Sequence, residues 1–177
     1  MLRKRTMEEL NRKSVEDFKE SDKQKMVVVL DNVRSMHNVG SIFRTSDAFL
    51  IEKIWLCGFT PRPPHRDIQK TALGATETVA WAYQQEIMDC LLALQQEGYT
   101  LIAVEQAAGS MELPNWQADK NQKLAVIFGN EVEGVQDKVM DVCDAAIEIP
   151  QMGTKHSLNV SVAAGIVLYK LTERVFA

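Results

Sequence analysis

Short apolar runs recur along the chain at Met26–Leu30, Lys53–Cys57, Leu101–Val104, Leu124–Phe128 and Ala146–Ile149. Runs this short, bounded by polar residues, read as strands buried on both faces, as in a parallel sheet. Between them the spacing turns helical. From Gly40 to Phe49, Ile42, Phe43 and Phe49 fall at helical intervals. From Glu86 to Glu97, Ile87, Leu91 and Leu94 share one stripe, with Gly98 as a stop. Val135–Val142 predicts a short helix and Ser157–Val175 a long terminal one, while Asp31–Val39 and the proline-rich Gly58–Asp67 read as loops. Strands separated by helices predict an α/β fold with a mostly parallel sheet flanked by helices. Residues 1–25 read as an amphipathic, helical arm with a break near Ser21-Asp22, ahead of a main domain over residues 26–177.

Val160 to Tyr169 is apolar nearly all round and carries the small residues Ala163, Ala164 and Gly165. A terminal helix of that kind needs cover, and a second copy of the chain is the simplest source, so a homodimer through the C-terminal helix is expected.

Composition changes this picture little. With 177 residues, 46% hydrophobic and 25% charged, the chain is an ordinary globular domain and neither a disordered nor a fibrous one. No segment reaches the roughly 18 uncharged apolar residues of a membrane span, and the charged N-terminus lacks a secretory core. Cys57, Cys90 and Cys143 are odd in number and far apart, which gives neither a disulfide framework nor a zinc CxxC pair and fits a cytoplasmic protein. Charge does add something. The net charge is −4, yet residues 1–25 hold eight Lys/Arg against six acids, so any site for a polyanion must be a local basic patch.

In a parallel α/β sheet, ligands bind at the carboxyl ends of the strands. Three segments there are rich in Asn, Gly, Ser and charge. In Asn38-Val39-Gly40-Ser41-Ile42-Phe43-Arg44, Gly40 at a loop-to-helix junction would let a phosphate approach the backbone, with Arg44 one turn on to grip it. A surface alternative has Asn38 capping the helix and Arg44 paired with Asp47 or Asp31. Phe128-Gly129-Asn130-Glu131-Val132-Glu133-Gly134 follows a buried strand and suits a turn touching a ligand, or a plain strand-to-helix turn. It is neither a Walker loop nor a dinucleotide fingerprint. Ile149-Pro150-Gln151-Met152-Gly153 leads to Ser157-Leu158-Asn159-Val160-Ser161, where Ser157 is placed to cap the terminal helix.

Taken in order, the three segments resemble the motifs of the SpoU/TrmH-type RNA ribose 2′-O-methyltransferases of the SPOUT superfamily. The likeness runs from about Met26 to the C-terminus and includes Lys70-Thr71-Ala72-Leu73-Gly74-Ala75. It implies a C-terminal trefoil knot, a homodimer and an S-adenosylmethionine site made by backbone around Val104, Glu105, Gly129, Ile149 and Leu158. By position, Asn38, Arg44, Glu131, Ser157 and Asn159 match the catalytic and substrate-side residues. Departures occur at Val132 and Glu133, where many members have Gly and a basic or polar residue, and at Gln151, which blurs the cofactor register. The separate N-terminal RNA-binding domain of larger members has no counterpart here.

The implied reaction is attack of a ribose 2′-hydroxyl on a sulfonium methyl, governed by alignment and proton removal, with no metal called for. A guanidinium is hard to deprotonate, its pKa lying above about 12. Arg44 is therefore expected to hold phosphate and developing oxyanion charge, with Asn38 orienting the ribose or Arg44, Glu131 holding Arg44 or a partner's loop, and Ser157 and Asn159 shaping the pocket. The RNA partner is expected to be tRNA, with rRNA as the alternative. It would be held by the arm (Arg3, Lys4, Arg5, Arg12, Lys13) or by Arg62, His65, Arg66 and Lys70. A non-catalytic RNA- or ribosome-binding factor of the same fold, and a small enzyme using these loops for another nucleotide, are the competing readings.

Overall fold

A computed structural model describes the chain except residues 1, 7, 118, 120 and 177 and the side chains of residues 174–176. The strands are β1 (Gln24–Asp31), β2 (Ile51–Cys57), β3 (Ala80–Gln84), β4 (Thr100–Val104), β5 (Met111–Glu112), β6 (Leu124–Phe128) and β7 (Ala145–Glu148). They form one sheet in the order β3-β2-β1-β6-β4-β7-β5, with every pairing parallel. Helices are α1 (Val15–Glu20), α2 (Met36–Ala48), α3 (Arg66–Ala72), α4 (Ala75–Thr78), α5 (Ile87–Gln96), α6 (Asp137–Met140) and α7 (Val160–Phe176).

The period of two along a strand divides the core. Met26, Val28 and Leu30 of β1 and Leu124, Val126 and Phe128 of β6 pack with Ile42 and Phe43 of α2 and with Ala164, Val167 and Leu168 of α7. Val27, Val29, Ala125 and Ile127 point the other way, onto Ile87, Leu91 and Leu94 of α5 and Val139 of α6. The central strands are thus covered on both sides, which is why they read as unbroken apolar runs.

Several expectations need correction. The arm is mostly not helical: it holds a single 3-10 turn at Glu8–Leu10 and α1, while Met1 and Met7 lie outside the described residues. Ser14 and Asp17 form a capping box at the start of α1, and Phe18 is buried in the main core, so this helix is docked on the domain. The break at Ser21 is present: Ser21 is the extended C-cap.

Helix α2 begins at Met36 rather than Gly40, because the Ser35 hydroxyl accepts the Asn38 N–H and caps it there. Asn38 therefore lies inside the helix and does not cap it. Helix α7 begins at Val160, and Asn159, not Ser157, accepts from the Ser161 and Val162 N–H groups. Along α7, Val162, Ile166 and Tyr169 stay exposed, so the helix is not covered all round within one chain. Strands β3 and β5 are additions. Among the described residues, no helix is long and apolar enough to cross a membrane.

Candidate active site

Because every strand runs the same way, the loops after β1, β4, β6 and β7 emerge at one edge of the sheet. Those after β4, β6 and β7 enclose a cavity of about 480 Å³, within the range of small-molecule sites. Val104, Glu105, Gly129, Ile149 and Leu158, the five positions expected to meet a cofactor, all line it, as do Glu131, Ser157 and Asn159. Its walls combine apolar groups (Val104, Phe128, Ile149, Val160) with the carboxylates of Glu105, Glu131, Glu133 and Glu148. A ligand with a flat apolar ring and a positive centre suits such a lining.

The loop after β6 is held from within. The Asn130 and Gly134 backbones exchange two hydrogen bonds of 3.1 Å, and the side-chain Oδ1 of the buried Asn130 accepts from the Val132 and Glu133 N–H groups. A Cβ at Gly129 would lie 1.9 Å from the Gly134 carbonyl carbon, so only glycine lets the two backbones cross here. Glu105 braces the far end: one carboxylate oxygen accepts the Val135 N–H at 3.0 Å and the other the Gln106 N–H at 2.9 Å.

Glu131 does not hold Arg44. Its carboxylate accepts from the Arg34 N–H (3.1 Å), the Ser35 N–H (3.2 Å) and the Asn38 side-chain amide (2.9 Å). It therefore supplies the negative charge that the N-terminus of α2 favours. Partial burial acts to raise its pKa, but these hydrogen bonds outweigh burial and the carboxyl sits below the usual glutamate range. The place assigned to a ligand phosphate is thus occupied by a carboxylate of the protein itself. Gly40 has a different use as well. It is buried against α3, where a Cβ would fall 2.2 Å from Thr71 Oγ1 and 2.3 Å from the Ile68 carbonyl oxygen, so the close approach is between helices.

Asn38 continues the chain of contacts, since its carbonyl oxygen accepts from the Asn159 amide at 3.1 Å. Glu131, Asn38 and Asn159 thereby join the three motif segments in one network. Arg44 stands apart on the exposed side of α2. It does not line the cavity, and among the described residues it makes no hydrogen bond or ion pair. The surface pairings considered for it are taken up otherwise: Asp47 accepts from the Thr78 hydroxyl, and Asp31 from Gln136.

Two further parts escaped sequence reasoning. Asp31, buried at the end of β1, accepts from the Gln136 backbone and side-chain N–H groups and ties β1 to the start of α6. Burial pushes its carboxyl up against the opposing effect of those bonds. Gln106 lines the cavity and donates to the His156 carbonyl at 2.8 Å. Its place just after β4 was the only available signal.

The model of the SpoU rRNA Methylase family matches residues 25–169. The chain belongs to that family. Among curated proteins, it is 30% identical over 169 residues to the 23S rRNA (guanosine-2′-O-)-methyltransferase RlmB of Vibrio cholerae, covering 96% of this chain and 67% of that one. Among solved structures, it superposes on the A. aeolicus TrmH/SpoU tRNA modifying enzyme with a TM-score of 0.80 at 26% identity, covering 90% and 80% of the two chains. The AdoMet-bound rRNA methyltransferase of Sinorhizobium meliloti gives 0.79 at 28%, covering 88% and 58%. The SpoU/TrmH resemblance read from the motifs is therefore correct, and this SpoU-family chain is an RNA methyltransferase with an α/β fold.

Proposed function

We propose that this chain transfers a methyl group from S-adenosylmethionine to a ribose 2′-hydroxyl of ribosomal RNA. The observation that carries the reading is a cavity walled by two of the three motif segments and tied to the third through Glu131, Asn38 and Asn159, in a chain of the SpoU family. The tRNA expectation ranks second. Curated relatives are named for 23S rRNA, and the A. aeolicus neighbour's tRNA title keeps tRNA as the second reading.

S-adenosylmethionine supplies an electrophilic methyl on a sulfonium. The backbone at Val104, Gly129, Ile149 and Leu158 would hold its adenosine part, and the carboxylate-rich wall would favour its positive end. The 2′-oxygen forms the new bond to carbon as the carbon–sulfur bond breaks, and the hydroxyl proton leaves to a phosphate oxygen or water. Arg44, outside the cavity and without an internal partner among the described residues, is placed to grip the nucleotide phosphate. Ser157 shapes the pocket from its rim. Asn38 and Asn159 act by holding the motif loops in register.

Residues 26–177 form the methyltransferase unit, with residues 1–25 added to it. The C-terminal part is knotted, and two copies pair through the stripe Val162, Ile166 and Tyr169, in a cytoplasmic enzyme. Sedimentation equilibrium should give twice the chain mass of 19.9 kDa. A single-chain mass would remove the dimer.

The test of the activity is transfer of labelled methyl from S-adenosylmethionine to 23S rRNA transcripts and, separately, to bulk tRNA. Ribose label should appear with wild type on rRNA and fall at least about 100-fold with Arg44→Ala, at unchanged melting temperature. Cofactor binding without label on either RNA would instead favour a non-catalytic factor.

A further inference from the structure

Phe59 sits in the loop after β2, at the same sheet edge as the cavity, and is 81% exposed. Single exposed apolar side chains are common. This one is unusual because its backbone is fixed on both sides. Asn32 and Gly58 both take positive φ, at 55° and 61°. The Phe59 N–H donates to the Asn32 side chain at 2.9 Å. Next to it, the buried Thr60 hydroxyl accepts the Val33 N–H and donates to the Leu30 carbonyl. Directly after Val33 in the same β1 loop, the Arg34 and Ser35 N–H groups donate to Glu131 at the cavity wall. A short run of bonded backbone thus joins an exposed aromatic ring to the active site.

The surroundings are cationic in a chain of net charge −4. The Arg62 guanidinium lies 4.2 Å from the Tyr83 ring centre, and the Tyr83 hydroxyl donates to the Gly58 carbonyl, which places that stack beside the Phe59 turn. Lys70 takes the Asp67 carboxylate at 2.7 Å. Exposed Arg62 and Arg66 are left without a carboxylate partner among the described residues. The arm is a poorer candidate, since Arg3 there is already paired with Glu9 at 2.6 Å.

A rigidly presented aromatic face with an unpaired guanidinium group beside it is the chemistry that holds single-stranded nucleic acid: the ring stacks on a base and the cation meets a flanking phosphate. We propose that Phe59 is the stacking platform for an unpaired base of the RNA substrate, with Arg62 and Arg66 on the adjoining phosphates. The proposal rests on the RNA methyltransferase reading above. A fixed backbone lowers the ordering cost of such a contact.

The experiment measures kcat and KM for 23S rRNA transcripts, calorimetric S-adenosylmethionine affinity and sedimentation mass for wild type, Phe59→Ala, Phe59→Trp and Arg62→Ala/Arg66→Ala. In Phe59→Ala the RNA KM should rise about tenfold, with kcat, cofactor affinity and mass unchanged, and Phe59→Trp should restore it. The double arginine variant should bind RNA with a salt slope shallower by about 1.4. An unchanged KM in Phe59→Ala overturns the proposal. So does a fall in cofactor affinity, which marks a structural role, or a change in mass, which marks a contact with a second copy. An active wild type beside an indifferent Phe59→Ala removes this proposal alone. A wild type that methylates neither rRNA nor tRNA removes the activity and the platform together.

Discussion

Two loops face each other across the cavity and are built in opposite ways. The loop from Gly129 to Gly134 is closed by paired backbone bonds, filled by the Asn130 side chain, and bound to the β1 loop and to Glu105. The loop from Pro150 to Leu158 is exposed at every residue, Met152 fully so, and among the described residues its hydrogen bond to the rest of the chain is the one from Gln106 to His156. The composition explains the contrast. Residues 151–157 offer Gln, Met, Gly, Thr, Lys, His and Ser, with little to bury, whereas the first loop carries Asn and Glu side chains that reach backbone donors. One wall of the site is held by internal bonds, and the other carries few of them. Ordering it costs conformational entropy, which lowers affinity but leaves a route for entry and release.

The sharpest way to break this comparison uses one glycine from each loop. Gly129→Ala forces a methyl group into the Gly134 backbone and should cost more than about 4 kcal/mol, seen as a collapsed melting temperature and lost cofactor binding. Gly153, where a Cβ meets nothing within 4 Å and φ is not positive, should accept Ala within about 0.5 kcal/mol. Equal losses at both positions would mean that the second loop is as tightly built as the first.

Glu131→Gln is the next largest. The substitution sets an amide NH2 against backbone donors and removes charge-assisted bonds, for an expected loss of about 2 kcal/mol. The pH dependence has a definite sign. Because the folded carboxyl is held below the usual glutamate range, its stabilisation is full above that range and fades as pH falls through the lowered value. Melting curves from neutral to acid pH should therefore lose part of their slope in the variant. A variant with the wild-type acid limb would show that Glu131 does not lock the first loop.

The smallest effect is on motion. Amide exchange in residues 151–158 should slow at least about tenfold on adding S-adenosylmethionine, while residues 129–135, already bonded, change little. Equal protection of both loops would remove the distinction between a formed wall and an ordering one.

The middle of the sheet was legible because strands buried on both faces must be apolar throughout. β1, β4 and β6 leave no ambiguity of period, and the segments after β1, β6 and β7 held the three motifs in plain order. The alternating Ala80-Trp81-Ala82-Tyr83-Gln84 of β3 was not legible, because edge strands keep polar or exposed positions and lack that signature. Nor was the start of α2. Ser35 as a cap is a local signal, but a loop reading of Asp31–Val39 passed over it, which displaced Gly40 and Asn38 from their actual places.

The sequence by itself determined the fold class, the strands that carry the site and the residues around the cavity, since each follows from local composition or motif order. Only the tertiary structure decided what those residues do to one another. Glu131 and Asn38 are 93 residues apart in the chain, and Asn38 and Asn159 are 121 apart. No spacing rule reaches that far. A carboxylate chooses its partners by which donors the folded backbone leaves unsatisfied, and here those were the N–H groups at the start of α2 rather than the guanidinium of Arg44.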